Sequence, residues 1–170
     1  MKIKFITSMI AGFVFCSSAF SSQLTLDSIE PKSTCSYLEN MGLKSQGWGE
    51  LGSGDYGCPS EKKEFGPPSA LGERNDITYY VSSVGGKLEQ LKLLVNINNP
   101  KAAAAAKAEL NKAAKQLLGK LGITAIPNNI VSAINAASDA TAEVDGVKLK
   151  VVKMSWGEDT DQFSIKFTVE

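Results

Sequence analysis

Residues 99–122 read NPKAAAAAKAELNKAAKQLLGKLG, and no other stretch of the 170-residue chain restricts the fold as much. Pro100 fits the first helical position, where its missing N–H would have had no partner. Asn99 before it is a natural N-cap, with a side-chain oxygen to accept a first-turn N–H. Ala103, Ala106, Leu110, Ala114, Leu117 and Leu121 recur at spacings of three and four, drawing one apolar stripe along a helix. Lys101, Lys112 and Lys115 fall on the opposite side, and Gly119 or Gly122 supplies a left-handed residue to end it. A stripe that is half alanine and without aromatics does not suit a membrane surface, which selects large apolar side chains. It suits a helix laid across a sheet.

The flanking sequence supplies that sheet. Ile77, Tyr79 and Val81 alternate in residues 76–83, Gly85 and Gly86 make a turn, and Leu91, Leu93, Val95 and Ile97 alternate in residues 87–98, which together read as a hairpin. A second helix is predicted over 127–137, with Ile130, Ala133, Ile134 and Ala137 on its buried side. Residues 141–144 and 147–156 then flank Asp145-Gly146, a pair that favours the two-residue type I′ turn. In residues 162–169, Phe163, Ile165, Phe167 and Val169 alternate with Ser164, Lys166 and Thr168. The expected architecture is an α+β domain: an antiparallel sheet of about five strands, in the order ββ-αα-βββ, with helices packed on one face. An N-terminal helix over about 32–41 precedes it, Cys35, Leu38 and Met41 sharing one side. Residues 42–75 are rich in glycine and proline and read as an irregular loop. The charges of residues 61–64 read as a solvated cluster.

The first residues belong to none of this. Lys2 and Lys4 open the chain, residues 5–15 are apolar, and Ala19 and Ser21 are small residues at the −3 and −1 positions of a cleavage site before Ser22. Residues 1–21 therefore read as a secretory signal peptide, leaving a single exported domain over 22–170 whose residues 22–30 form a flexible lead-in. Cys16 follows Phe15 rather than a small residue, so it is read as lost with the leader. Two cysteines remain, Cys35 and Cys58, and in an exported chain they are expected to form one structural disulfide. Closing that loop restricts the unfolded chain by roughly 3.5 kcal/mol on loop-closure entropy. The expected location is the periplasm or the extracellular medium. No segment after the leader is apolar enough to span a bilayer.

Composition narrows the chemistry. The chain holds 18 basic and 18 acidic side chains and no histidine, and loss of Lys2 and Lys4 makes it slightly acidic. Arg74 is its one arginine, so a nucleic-acid interface, which needs dense Lys and Arg, is not expected. Without histidine there is no Ser-His-Asp machinery and no histidine-ligated metal site. Gly47, Gly49 and Gly52, and again Gly52, Gly54 and Gly57, fit G-x-G-x-x-G, but no strand precedes and no helix follows them as dinucleotide binding requires. Glu158, Asp159 and Asp161 cluster at a hairpin tip without a calcium-loop pattern. No cofactor, no metal and no catalytic residue is assigned.

Five residues are candidate contacts. Trp48, Asp55 and Tyr56 lie among the glycines, where the aromatics either pack over the disulfide or present a recognition surface. Tyr80 and Trp156 lie on strands. Successive tyrosines point to opposite faces, so one of Tyr79 and Tyr80 belongs to the helix-free face. The function these features favour is a non-catalytic binding, accessory or inhibitor module with a protein or cell-envelope partner. The alternatives are a histidine-free hydrolase built on a carboxylate pair and a structural envelope component.

Overall fold

The computed structural model describes residues 24–52, 54–157 and 161–170. The proposed leader, its cleavage site, Glu158 and Asp159 lie outside the described residues. The chain is α+β, with an antiparallel sheet of eight strands rather than about five. In chain order these are β1 (Gly49–Gly52), β2 (Asp55–Pro59), β3 (Lys63–Phe65), β4 (Asn75–Val84), β5 (Lys87–Ile97), β6 (Ala140–Val144), β7 (Val147–Ser155) and β8 (Phe163–Val169). The sheet order is β1-β2-β4-β5-β8-β7-β6, with β3 also pairing β4. The last strand in sequence thus lies between the two long hairpins, bonded to β5 on one side and β7 on the other.

The three additional strands come from the glycine-rich run, which was expected to be irregular. Strand β4 is ten residues long, and its edge away from β5 would otherwise present unpaired backbone groups. Strands β2 and β3 cover that edge in succession, Cys58 opposite Val81 and Glu64 opposite Asp76. The glycines punctuate these short strands. Gly52 and Gly54, at φ +110° and +82°, turn the chain between β1 and β2. Gly57 is required for closeness: a Cβ there would lie 2.1 Å from the Val81 carbonyl oxygen. Lys63, expected to be solvated, sits on β3 with its ammonium 2.6 Å from Glu109 Oε1.

Helix α1 (Ala103–Lys120) follows a short 3-10 turn at Pro100–Ala102, and the Asn99 side chain accepts the Lys101 N–H at 3.2 Å as the cap. Ala106, Leu110, Ala114 and Leu117 are fully buried, and Lys112 and Lys115 face solvent. Helix α2 (Asn128–Ala136) buries Ile130, Ala133 and Ile134. The two helices pack together on one face, α1 over β4 and β5, α2 over β6 and β7. Beneath them Ile77, Val81, Leu91, Leu93, Val95, Ile97, Leu149, Val151, Ile165, Phe167 and Val169 have no exposed surface. Asp145 and Gly146 both have positive φ, as the type I′ turn demands. Among the described residues, no helix is long and apolar enough to cross a membrane.

The N-terminal helix is replaced by two 3-10 turns, Pro31–Ser36 and Glu39–Met41. The serine and threonine side chains give the reason. Ser33 Oγ donates to the Glu30 carbonyl and Thr34 Oγ1 to that of Pro31, both at 2.7 Å and both three residues back. Such bonds compete with regular helix and favour the tighter turn. The turn is capped by Glu30, whose carboxylate accepts the Ser33 N–H, and Cys35, Leu38 and Met41 are all buried. The Cys35–Cys58 disulfide ties it to β2, with Cα atoms 5.9 Å apart. Tyr79, buried beside it, donates its hydroxyl to the Thr34 carbonyl at 3.1 Å. At the other end of the sheet, β6 is shielded where the Leu24 N–H bonds the Asp145 carbonyl and Asn129 Nδ2 bonds that of Thr141.

Candidate functional site

Strand geometry assigns every second residue to the face away from the helices. Cross-strand pairing then sets these residues in rows. One row runs Tyr80, Lys92, Thr168, Lys150 across β4, β5, β8 and β7. The next runs Thr78, Leu94, Lys166, Val152, and the one after it Asp76, Asn96, Ser164, Met154. Tyr80, Leu94, Val152 and Met154 are half-buried, so an apolar floor shows between the polar groups.

The third row carries a continuous hydrogen-bond chain. Trp156 Nε1–H donates to Ser164 Oγ at 2.7 Å, and Ser164 Oγ–H donates to Asn96 Oδ1 at 2.7 Å. Asn96 Nδ2 donates to Asp76 Oδ1 at 2.9 Å, and Asn98 Nδ2 donates to Asp76 Oδ2 at 3.2 Å. The Asp76 side chain is only 3% exposed, with Lys62 Nζ 4.0 Å away. Burial raises its carboxyl above the ordinary range, opposed by the Asn96 bond, by Lys62 and by the Asn98 bond. Its oxygens are occupied and out of solvent. The network therefore pins β4, β5 and β8, with the chain just past β7, at one end of the face, and its own carboxylate is not presented to a substrate.

The first two rows carry charge without partners. Lys92, Lys150 and Lys166 surround Thr168, which is 1% exposed and bonds Glu170 Oε1 at 3.1 Å. Among the described residues, no carboxylate lies within ion-pair distance of any of the three. The Lys92 ammonium stands 4.2 Å over the Tyr80 ring, a cation–π contact. Burial lowers its pKa, and the neighbouring charge of Lys166 lowers it further. Of the acids on this face, Asp76 is engaged in the network and Glu170 with Gln90, Thr168 and Lys148, while exposed Glu143 on β6 lies opposite Lys148, one row from Lys150 and outside ion-pair distance of it.

The five candidate contacts separate. Tyr79 is buried under the helices and Tyr80 lies on the free face, as strand alternation requires. Trp156, 46% exposed, reaches that face through its bond to Ser164, two strands and two rows from Tyr80. They occupy opposite corners and form no single aromatic patch. Trp48 packs against the core, whereas Tyr56 on β2 is 46% exposed next to Leu51 at 52%, and Asp55 beside it is half-buried. Asp161 is exposed. Among the described residues, no group of three or more His, Cys, Asp or Glu could hold a metal ion. Asp76 and the three lysines were not singled out from the sequence, although the outward positions of β5, β7 and β8 fall at every second residue and hold all three lysines.

Away from this face, a concavity of about 630 Å³ lies between α1, α2 and the segment joining them, lined by Ala108, Asn111, Ile123, Ile126 and Val131. Asn111 Oδ1 is buried there without a hydrogen-bond partner, but it is sealed from solvent and offers nothing to an incoming molecule. Comparison with protein-family models, with curated proteins and with solved structures finds no match for this chain.

Proposed function

We propose that the protein is an exported, non-catalytic binding module, an accessory factor or inhibitor, whose helix-free sheet face docks on a protein of the cell envelope. One observation carries the reading: half-buried Tyr80, Leu94, Val152 and Met154 alternate on that face with three lysines that pair with no described acid. Interfaces combine an apolar centre with polar groups at fixed positions, and a hydrogen-bonded sheet holds such groups with little entropy left to lose. The disulfide fits an oxidising compartment. The carboxylate-hydrolase alternative gains no support from Asp76, the described acid whose pKa is raised, because it is buried and accepts a hydrogen bond on each carboxylate oxygen.

The test is affinity capture of envelope proteins with the mature chain, comparing wild type with Leu94→Asp and Tyr80→Ala, each checked for native circular dichroism. Loss of a captured protein in both variants supports the reading. Capture indifferent to both, yet abolished by Tyr56→Ala or Trp48→Ala, would move the contact to the glycine hairpin instead.

A further inference from the structure

We infer that the partner presents an acidic polypeptide surface to Lys92, Lys150 and Lys166. The inference deepens the docking reading above and rests on it. The chain is slightly acidic once its leader is removed, yet folding gathers these three cations around one buried threonine in the middle of a face. Three other lysines of the sheet have acids to hand: Lys63 lies 2.6 Å from Glu109, Lys87 2.8 Å from Asp27 and, one row from Lys150 on the same face, Lys148 3.8 Å from Glu170, whereas Lys153 stands over the Phe163 ring. The exposed lysines on the back of α1 stand free in water, where an unpaired charge costs nothing. Those on the sheet face are half-buried, and their stems cover the floor. An apposed carboxylate would offset both the desolvation of Lys92 and its repulsion from Lys166.

Spacing and floor select the class of anion. Lys92 and Lys150 lie on strands two apart, so their backbones are about 10 Å from each other. Lys166 sits one same-face row away, about 7 Å along the strand direction. Carboxylates on a folded or extended polypeptide are spaced on this scale. Leu94 and Val152, which flank Lys166 in its row, offer apolar contact to the side chains between them. A lipid surface calls for protruding apolar residues or a longer basic cluster. These apolar residues are half-buried in the sheet. Nucleic acid is matched by arginine-rich surfaces with free stacking rings. Arg74 donates instead to the Gly66 carbonyl, and the Tyr80 ring is covered by Lys92.

The test uses the mature chain and fluorescently labelled poly-L-glutamate, with binding read by anisotropy at low and at moderate salt. Binding should weaken steeply with salt and fall at least about tenfold in the triple variant K92Q/K150Q/K166Q. The matched triple variant K112Q/K115Q/K120Q on the back of α1 should bind as wild type. Circular dichroism confirms that both variants are folded. Absence of binding, equal loss in the two variants, or retention by the face variant would overturn the inference. So would binding to phosphatidylglycerol vesicles or to heparin in place of poly-L-glutamate. In the envelope capture, a partner lost with Leu94→Asp but unmoved by the three lysines and by salt would sink this inference and leave the docking reading standing. A capture indifferent to Tyr80 and Leu94 would sink the docking reading itself.

Discussion

The two faces of the sheet are written by alternate letters of the same strands and have opposite fates. In β5, Leu91, Leu93, Val95 and Ile97 lie under the helices without exposed surface, while Lys92, Leu94 and Asn96 between them remain half-buried on the other side. The covered face meets one demand, to be filled without voids, and aliphatic side chains meet it. The free face must stay in water, yet it holds a satisfied polar network at one end and three unpaired cations in its middle. A face selected for solubility alone would be expected to intersperse acids among such lysines, as the adjoining row of the same face does with Lys148, Glu170 and Glu143. The contrast separates what holds the molecule together from what it has to offer a partner.

The comparison breaks if the covered face turns out to be dispensable. Phe167→Ala removes a fully buried ring from the central strand and should cost about 3–5 kcal/mol, read by urea denaturation. A loss below about 1 kcal/mol would mean that the helices do not depend on that floor. Cys35→Ala with Cys58→Ala should cost roughly 3.5 kcal/mol on loop-closure entropy, with a matching fall in the urea midpoint. Tyr79→Phe strips the Thr34 carbonyl of its buried donor and should cost about 1–2 kcal/mol.

Asp76 sharpens the contrast through pH. Its raised pKa means that the folded chain holds this proton to higher pH than the unfolded chain does. Stability from this group is therefore present at low pH and declines as pH rises from the ordinary carboxyl range through the raised value. Asp76→Asn should remove that decline, so the difference in stability between wild type and variant should move against wild type across the window. Parallel curves would show that burial is fully compensated. Smallest of all should be the effect of Lys150→Gln or Lys166→Gln on folding, within about 0.5 kcal/mol. A larger loss would make these lysines structural and dissolve the distinction between the faces.

What could be read in the sequence follows the same division. The covered face was legible because it repeats: every second residue in β4, β5 and β8, every third or fourth in α1, bounded by Pro100, Asn99 and the Asp145-Gly146 turn. Strands β1, β2 and β3 were not, because strands of three to five residues broken by glycine carry no period. They exist because a long neighbour needs its edge paired, which is a demand of the assembled sheet. The 3-10 turns at Pro31–Ser36 were hidden for a related reason, since hydroxyl bonds to carbonyls three residues back leave the apolar spacing of a helix intact. The lysine centre was obscured by arithmetic. A nearly balanced total charge says nothing about separation in space, and Lys92, Lys150 and Lys166 meet only when β8 enters between β5 and β7.

That placement of β8 has a bearing on how the molecule comes into being. Until Phe163–Val169 has been made, a growing chain holds two hairpins, β4 with β5 and β6 with β7, linked through the packing of α1 on α2 but without the strand that bonds them into one sheet. That strand acts as a keystone: the sheet cannot close in its finished order before β8 has entered between β5 and β7.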